Sequence, residues 1–550
     1  MNIVCVHLGL SRVLAELGHR VLDLRPSAGP VRLAPLLGDF IPDLLIQQET
    51  LGPRTLLADL PALNCPKIFW SIDTHLNSFW HQYYARLFDL FCTTQQHWLA
   101  WFAARGITSA LWLPWHGTSR ACAPWQDRAQ GLTFVGRISP ERPVREWFVN
   151  CLRDLGEVRV RQGLGQSAML DLYDTSRIVP NESIFGEVNF RLFEAASCGC
   201  AVLNPAIPGV EELFVPGQEV ALYRDGAELA AWVGRLRSDD ALARGLGLRA
   251  WERVQREHLP AHRAGTLLDA AEGLSGAGVT GAAADIAWWL TLFQLREAER
   301  LPMNASILEA GLRALPLTAE VLAALLRLGA EVGRDAFLRL AVPVAEIGQY
   351  AASWEVNLAG SMGALHGEDA SLARLFYLRY RRECRPEAAD PGHTRLSICL
   401  AWARELQRMG QVSRPGLAFN PRSQLPASAL DCLIWASEEA PENAAVYTDM
   451  ARLLAPDSGR DSLRLQILSW LALRAPHDWR LGLELGLANC RAFRVRQGLE
   501  ELLGASAEAA RQGQMERFSR MLRSRDESGQ IRALLAPTLT HAPQGHGEDA

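Results

Sequence analysis

The sequence predicts two tandem α/β domains followed by an all-helical segment. Three observations carry that prediction: short apolar runs alternate with helix-patterned stretches over residues 1–125, the alternation repeats over 131–274, and every strand pattern is lost from 282 onward. Continuous apolar strands separated by helices indicate parallel sheets with both faces covered, because each crossover helix packs back across its sheet. The predicted domains are 1–125, 131–274 and 282–538.

In the first block, strand patterns lie at 3–7, 21–24, 44–47, 67–72, 90–93 and 110–114, and helical spacing at 10–17, 78–87 and 96–105. Gly18-His19 stops the first helix. In the second block, strands are expected at 132–136, 158–161, 177–179, 201–204 and 220–223, with helices beginning near Pro140, Ser167, Val188 and Ala227. Residues 119–130, with Pro124 and mixed polar side chains, read as a linker, as does the small-residue run 275–281. Within the helical segment, Ala440-Pro441-Glu442-Asn443 and Ala475-Pro476-His477-Asp478 recur 35 residues apart, each after one apolar helix and before another. That spacing approaches a helix-turn-helix repeat of ~34 residues, so a helical-repeat-like, possible tetratricopeptide-type domain is expected. The polar end from about Thr540 is expected to fray.

The bulk composition, 49% hydrophobic and 21% charged, is that of a globular chain. A net charge of -5 argues against a nucleic-acid partner, which calls for a basic face. Lys67 is the only lysine, so phosphate ligands must be arginine or backbone N–H groups. The first residues lack a basic n-region, and the longest apolar stretch, 286–295, is too short to span a bilayer and is followed by Arg296. The 11 cysteines are scattered without paired C-x2-C spacing, and Cys198-Gly199-Cys200 reads as small packing residues. A reducing, cytoplasmic setting is expected. No carboxylate cluster suggests a divalent-ion site, so neither metal nor cofactor is expected.

The chemistry concentrates in residues 181–205, NESIFGEVNFRLFEAASCGCAVLNP. A strand at 177–179 ends at Pro180, a polar loop follows, a helix starts near Val188, and Gly199 ends it before the next strand. A helix N-terminus after the carboxyl end of a parallel strand is the usual ligand position in an open α/β sheet, and its N–H groups favour phosphate. Arg191 in the first helical turn is disfavoured by the helix dipole, which an anionic ligand would rationalise. Glu194, three residues on, lies on nearly the same face and suits a ribose diol. An exposed Arg191–Glu194 ion pair is the alternative reading of the same two residues.

The string Asn189-x-Arg191-x-Phe193-Glu194-Ala195-x-x-x-Gly199 resembles the hallmark of group 1 bacterial glycosyltransferases of the GT-B fold, closest to the branch named after a spore-maturation protein. Pro208-Gly209-x-Glu211-Glu212-Leu213, Pro216-Gly217-x-Glu219-Val220, Phe134-Val135-Gly136-Arg137 and Gly18-His19-Arg20-Val21 extend the resemblance over roughly residues 1–270. It implies two Rossmann-like domains in a GT-B arrangement and a nucleotide-diphosphate sugar as donor. Glu194 would hold the ribose hydroxyls, and Gly136, Arg137, Val188 and Asn189 would face the diphosphate. Arg142, Arg191 and Glu187 are further donor-side candidates. Arginine and N–H donors can stabilise a departing diphosphate without a metal. One departure stands out. Many retaining members carry E-x7-E, and the position eight before Glu194 is Gly186, with Glu187 one residue out of register and Glu182 twelve before.

On the acceptor side, Asp73-Thr74-His75 follows the strand at 67–72. His75 is a candidate general base with Asp73 beside it; a polar helix cap is the alternative. His7 and His116 are weaker candidates at other strand ends, and Trp98, Trp101, Trp112 and Trp115 read as core rather than sugar platforms. A sugar transferase is the leading reading. Its acceptor would be a cell-surface protein such as flagellin docked by the helices, with lipopolysaccharide or capsule as the other acceptor class. Removal of the helices from 282 onward is expected to spare donor chemistry. A non-catalytic scaffold is the competing class. A GT-B epimerase or phosphorylase fits less well, since no lysine positions pyridoxal in the second domain.

Overall fold

A computed structural model of the chain describes residues 1–540 apart from 53, 277, 388 and 389. The polar end expected to fray thus lies almost wholly outside the described residues, as does position 277 of the 275–281 run. The chain divides into two compact units: Met1–Pro114 with Arg263–Leu453, and Trp115–His262 with the residues from Leu454 onward. Both α/β blocks have the expected parallel sheets, and the remainder is helical.

In the first unit the strands are β1 (Asn2–Val6), β2 (Arg20–Leu24), β3 (Gly29–Val31), β4 (Leu44–Gln48), β5 (Thr55–Leu57), β6 (Lys67–Ser71), β7 (Leu90–Thr93) and β8 (Ala110–Trp112). Six of them form one parallel sheet in the order β2-β1-β4-β6-β7-β8. The short strands β3 and β5 pair separately, and their three residues each are too few to show a periodicity in sequence. Every residue of β6 is buried, including Lys67, whose ammonium donates to Cys65 O at 3.0 Å and lies 3.4 Å from Asp89 Oδ2. The next helix, Thr74–Tyr84, begins four residues before the apolar pattern at 78, because its first turn buries Thr74, His75 and Asn77 rather than hydrophobes. The helix Gly281–Glu297 joins this core through Ala287, Leu290 and Phe293, and Arg86 forms a two-pronged bond to Glu320 at 2.9 and 2.8 Å.

A fully buried carboxylate organises the carboxyl ends of the two central strands, β4 and β6. Glu49 Oε2 accepts from Ser71 Oγ at 3.2 Å and from the backbone N–H groups of Ile72 and Asp73, both at 2.9 Å. Glu49 Oε1 lies 3.2 Å from His81 Nε2. Ser71 Oγ also meets Thr74 Oγ1 at 2.6 Å. Burial alone would push the Glu49 carboxyl up, but His81 and the two amides outweigh it and hold the group below its ordinary value. The turn that presents Asp73 and His75 is therefore fixed from behind by one charge.

In the second unit β9 (Gln130–Val135), β10 (Arg159–Arg161), β11 (Ser176–Pro180), β12 (Ala201–Pro205) and β13 (Ala221–Tyr223) form a parallel sheet in the order β10-β9-β11-β12-β13. The stretch 119–130 expected as a linker is instead packed here. Arg128 within it is buried and donates to Ser176 O at 2.8 Å, Ala123 O at 3.1 Å and Cys198 O at 2.5 Å. Helices after 454 share the core of this sheet: Phe493 packs edge-on to Phe148 and Tyr223, and Ala227 clusters with Trp479, Leu483 and Leu502. The two Ala-Pro motifs do sit between helices, Ala440 ending Ala429–Glu439 and Ala475 ending Asp461–Arg474. They fall in different units. Among the described residues no helix is long and apolar enough to cross a membrane.

The Glu49 network gives a direct expectation. Glu49→Ala, which strands His81 and two amides, should cost about 3–5 kcal/mol in urea unfolding. Because the carboxyl is held low, the stability that wild type gains over Glu49→Gln is present above the ordinary value of 4.5 and fades as pH falls below it. An unchanged unfolding midpoint in Glu49→Ala would refute this account.

Candidate functional site

The donor-side candidates gather at the carboxyl ends of β9, β11 and β12 in the second unit. The backbone leaves β11 at Pro180, and Asn181 and Glu182 are both buried with no exposed surface. Asn181 is held on three sides: its Nδ2 donates to Asn204 Oδ1 at 2.6 Å, its O accepts from Tyr223 OH at 2.5 Å, and its Oδ1 accepts from Arg191 at 2.6 Å. Glu182 Oε2 accepts from Arg145 Nε at 2.8 Å. The same guanidinium donates to Arg137 O at 3.3 Å, tying the loop after β9 to the loop after β11. Among the described residues, Glu182 Oε1 and Asn189 Oδ1 are buried acceptors with no donor. Burial pushes the Glu182 carboxyl up, and Arg145 only partly offsets that.

The loop 183–187 closes on itself. Glu187 Oε2 accepts from Ser183 Oγ at 2.5 Å and Phe185 N at 2.8 Å, while Glu187 N donates to Ser183 Oγ at 2.7 Å. One oxygen of the Glu187 carboxylate is thus committed to loop closure, a task its position in the sequence did not disclose. Val188 is buried, and Asn189 occupies the N-cap of the helix Phe190–Ser197 in extended geometry without forming a side-chain cap. Its amide donates to Glu182 O at 3.1 Å instead. The helix therefore starts with first-turn N–H groups that its own N-cap side chain leaves uncapped, which is the arrangement that receives an anion.

Arg191 corrects one reading of the sequence. It forms no ion pair with Glu194 among the described residues; Nε donates to Val135 O at 2.8 Å and the guanidinium lies 4.8 Å from the Phe134 ring centre. Gly136 passes directly over it, since a Cβ there would come within 2.9 Å of Arg191 Nη2 and 2.8 Å of Phe134 Cζ. Arg191 is a brace between strand ends. Arg137 and Arg142 differ from it. Both are exposed, and neither enters an ion pair among the described residues. Burial and the neighbouring Arg145 and Arg137 push the Arg142 guanidinium down, against Glu182 and Glu187. Arg142 lies close enough to Glu182 and Glu187 to feel their charge, and close enough to Arg137 to feel its charge as well.

Glu194 lies half-buried four residues into the helix. Burial pushes its carboxyl up to about 7, against the pull of Arg191. Among the described residues no protein group donates to this carboxyl, which leaves it open to hydroxyl donors. Sequence reasoning set Glu182 aside for its register and did not single out Arg145 or Asn181; a charged residue two positions past a strand end was the available signal. Another nearby contact was also weighted low. Trp115 stacks on Phe190 at 3.7 Å, and His116 meets the same ring edge-on at 5.7 Å. Trp115 is thus buried against the head of the candidate helix, in keeping with core packing.

In the first unit Asp73 is the N-cap of Thr74–Tyr84, half-buried, and His75 is 5% exposed in the first turn. They share the turn fixed by Glu49. His7 ends β1 with a left-handed φ of 54° and meets Thr55 Oγ1 at 3.0 Å through Nε2. Trp98 and Trp101 pack with Phe102 at the rim of the core, where both remain half-buried. Among the described residues no group of three or more His, Cys, Asp or Glu is arranged to hold a metal.

Comparison with known proteins bears on the second unit. Residues 118–269 match the model of a family described as glycosyl transferase-like, a stretch that contains every donor-side candidate. Among curated proteins none matches the chain. Similar solved structures include the sucrose-phosphate synthase of Thermosynechococcus elongatus, at 14% identity over 49% of this chain and 98% of that one, with a TM-score of 0.40. A glycosyltransferase of Rickettsia africae matches at 12% identity over 49% and 97%, with a TM-score of 0.39. Anabaena HepE in complex with UDP matches at 13% identity over 50% and 100%, with a TM-score of 0.38. The stretch 118–269 is glycosyl transferase-like in sequence, and its sheet is the parallel α/β sheet expected.

Proposed function

We propose that the chain is a metal-independent glycosyltransferase of GT-B type, of the spore-maturation-like branch, that uses a nucleotide-diphosphate sugar. The observation that carries this reading is one loop with complementary unmet needs. Uncapped N–H groups and the unpaired Arg137 and Arg142 suit a diphosphate, while Glu194, Glu182 Oε1 and Asn189 Oδ1 lack donors that sugar and ribose hydroxyls can supply. The glycosyl transferase-like match over 118–269 supports the same reading. In transfer, negative charge grows on the departing diphosphate, and fixed N–H and guanidinium groups stabilise it without reorganising. No cofactor is needed for that step.

For the acceptor, Asp73 and His75 form the proposed base, with Asp73 the more exposed of the two. A cell-surface protein such as flagellin is the proposed acceptor, with lipopolysaccharide or capsule polysaccharide as the other class. The docking role belongs to the helices between 281 and 453, since those after 454 pack with the donor sheet. A scaffold without activity is the reading to beat, and nucleotide binding separates the two.

Thermal-shift titration of the full chain with UDP, GDP, ADP and dTDP should find at least one stabilising nucleotide. Glu194→Ala should weaken it about tenfold or more while leaving the ligand-free melting temperature near wild type. Stabilisation by none of the four would overturn the donor reading; equal binding by Glu194→Ala would remove Glu194 from it.

The pH dependence follows from the same carboxyl. Its value of about 7 lies above the ordinary 4.5, so in the free protein ionisation of Glu194 costs stability as pH rises through that window. Ribose hydroxyls donate best to the ionised form, so wild-type affinity should rise about tenfold from pH 6 to pH 8 relative to Glu194→Gln. Parallel pH profiles of the two proteins in calorimetric titration would exclude that role.

A further inference from the structure

The loop 183–187 is pressed from outside by the C-terminal part of the same unit. The short 3-10 turn Ser458–Arg460 brings Gly459 against the Phe185 ring: a Cβ on Gly459 would lie 2.3 Å from Phe185 Cδ1 and 2.7 Å from Cε1. A Cβ on Gly186 would sit 3.8 Å from Ser458 Oγ, so the contact continues along the loop. Hydrogen present at Gly459 in place of a side chain is what allows the ring to seat there.

Both sides of the contact are stiff. On the loop side, Glu187 holds Ser183 and the Phe185 amide, so the backbone that carries the Phe185 ring is fixed by the loop's own closure. On the turn side, Asp457 lies 3.5 Å from Arg460. The following helix begins with buried Asp461, which accepts from Arg491 Nε at 2.9 Å. The loop also carries Glu182 at its entrance and Asn189 at its exit, and Asn189 Nδ2 reaches back to Glu182 O.

We infer that the Ser458–Arg460 turn is a positioning element of the donor site: through Phe185 it clamps the loop 183–187 and so sets the affinity for a nucleoside diphosphate. This rests on the reading of that loop as the donor site. It sets a different outcome against the expectation that residues after 282 are dispensable for donor chemistry: a chain cut there loses the clamp. Substrate is not touched by Gly459 itself; the turn acts by holding the loop in the geometry that Glu182, Asn189 and the helix start share.

A double-mutant cycle in the full chain tests it, using UDP, GDP, ADP and dTDP as probes and following whichever binds wild type most tightly. Gly459→Val and Phe185→Ala should each weaken that nucleotide about tenfold or more, beyond any change in ligand-free melting temperature. The double variant should be no weaker than the worse single, because both act through one contact. Should Gly459→Val fail to fold, Gly459→Ala places one methyl against the same ring edge. Nucleotide affinity within twofold of wild type in the Gly459 variant, or fully additive losses in the double variant, would overturn the clamp. If wild type binds none of the four, the donor reading falls and the clamp with it, an outcome distinct from a binding wild type whose variants bind equally well.

Discussion

The buried pair of Glu182 with Arg145 is the interaction on which the candidate site depends. A carboxylate with no exposed surface at the end of a parallel strand is costly unless a cation and further donors meet it. Arg145 supplies one such donor at 2.8 Å and simultaneously holds Arg137 O, so a single guanidinium fixes two loops. Its compensation is incomplete. Burial still pushes the Glu182 carboxyl up, and Oε1 has no donor. A polar network left one donor short is unfavourable in isolation and becomes sensible when a ligand completes it.

Arginine serves two different ends in this chain, and the distinction explains much of the architecture. With lysine reduced to Lys67, arginines take on scaffolding work for which their forked donors are well suited. Arg128 gathers three carbonyls around the turn between the helix Phe190–Ser197 and β12, Arg191 holds the end of β9, and Arg263 donates to Pro114 O at 2.8 Å. Arg237 and Arg327 likewise bond pairs of carbonyls. Arg137 and Arg142 are exposed beside one another and beside Arg145. Carbonyl-bound guanidiniums maintain the fold; Arg137 and Arg142 are exposed and form no ion pair among the described residues, so they are the ones open to an anion.

This dual use also decides how much was legible in the sequence. The strands β4, β6, β7, β11 and β12 were readable to within a residue or two, because buried parallel strands are continuous apolar runs bounded by breakers. The pair β3 and β5 was not, being three residues each with Gly29 and Pro30 among them. The helix that carries Glu194 was expected within two residues of its observed start, whereas Arg191 was open to two readings and the structure adds a third. Whether an arginine faces a carbonyl or a ligand depends on the path of a distant loop, here the crossing of Gly136 over its guanidinium, and no local pattern encodes that. Likewise the register argument set Glu182 aside, yet the loop 183–187 folds into a closed knot between Ser183 and Glu187. Sequence separation along such a loop is a poor measure of separation in space.

The division of the helices between the two units changes what the second half of the chain is for. A run of helices reads from sequence as one appended domain, because amphipathic periodicity records that a face is buried without naming what buries it. Phe493 against Phe148 and Tyr223, and Trp479 with Ala227, show that the helices after 454 complete the core of the second sheet. Those between 281 and 453 are bound instead to the first sheet, through Phe293 and the Arg86–Glu320 pair. Each α/β sheet therefore carries its own helical complement, and each turn that presents a candidate group is stiffened from within its own unit: Asp73 by Glu49 and His81, the loop 183–187 by Gly459. Preorganisation of this kind lets N–H groups and guanidiniums act on developing charge without first being ordered, which is where such sites gain most of their effect.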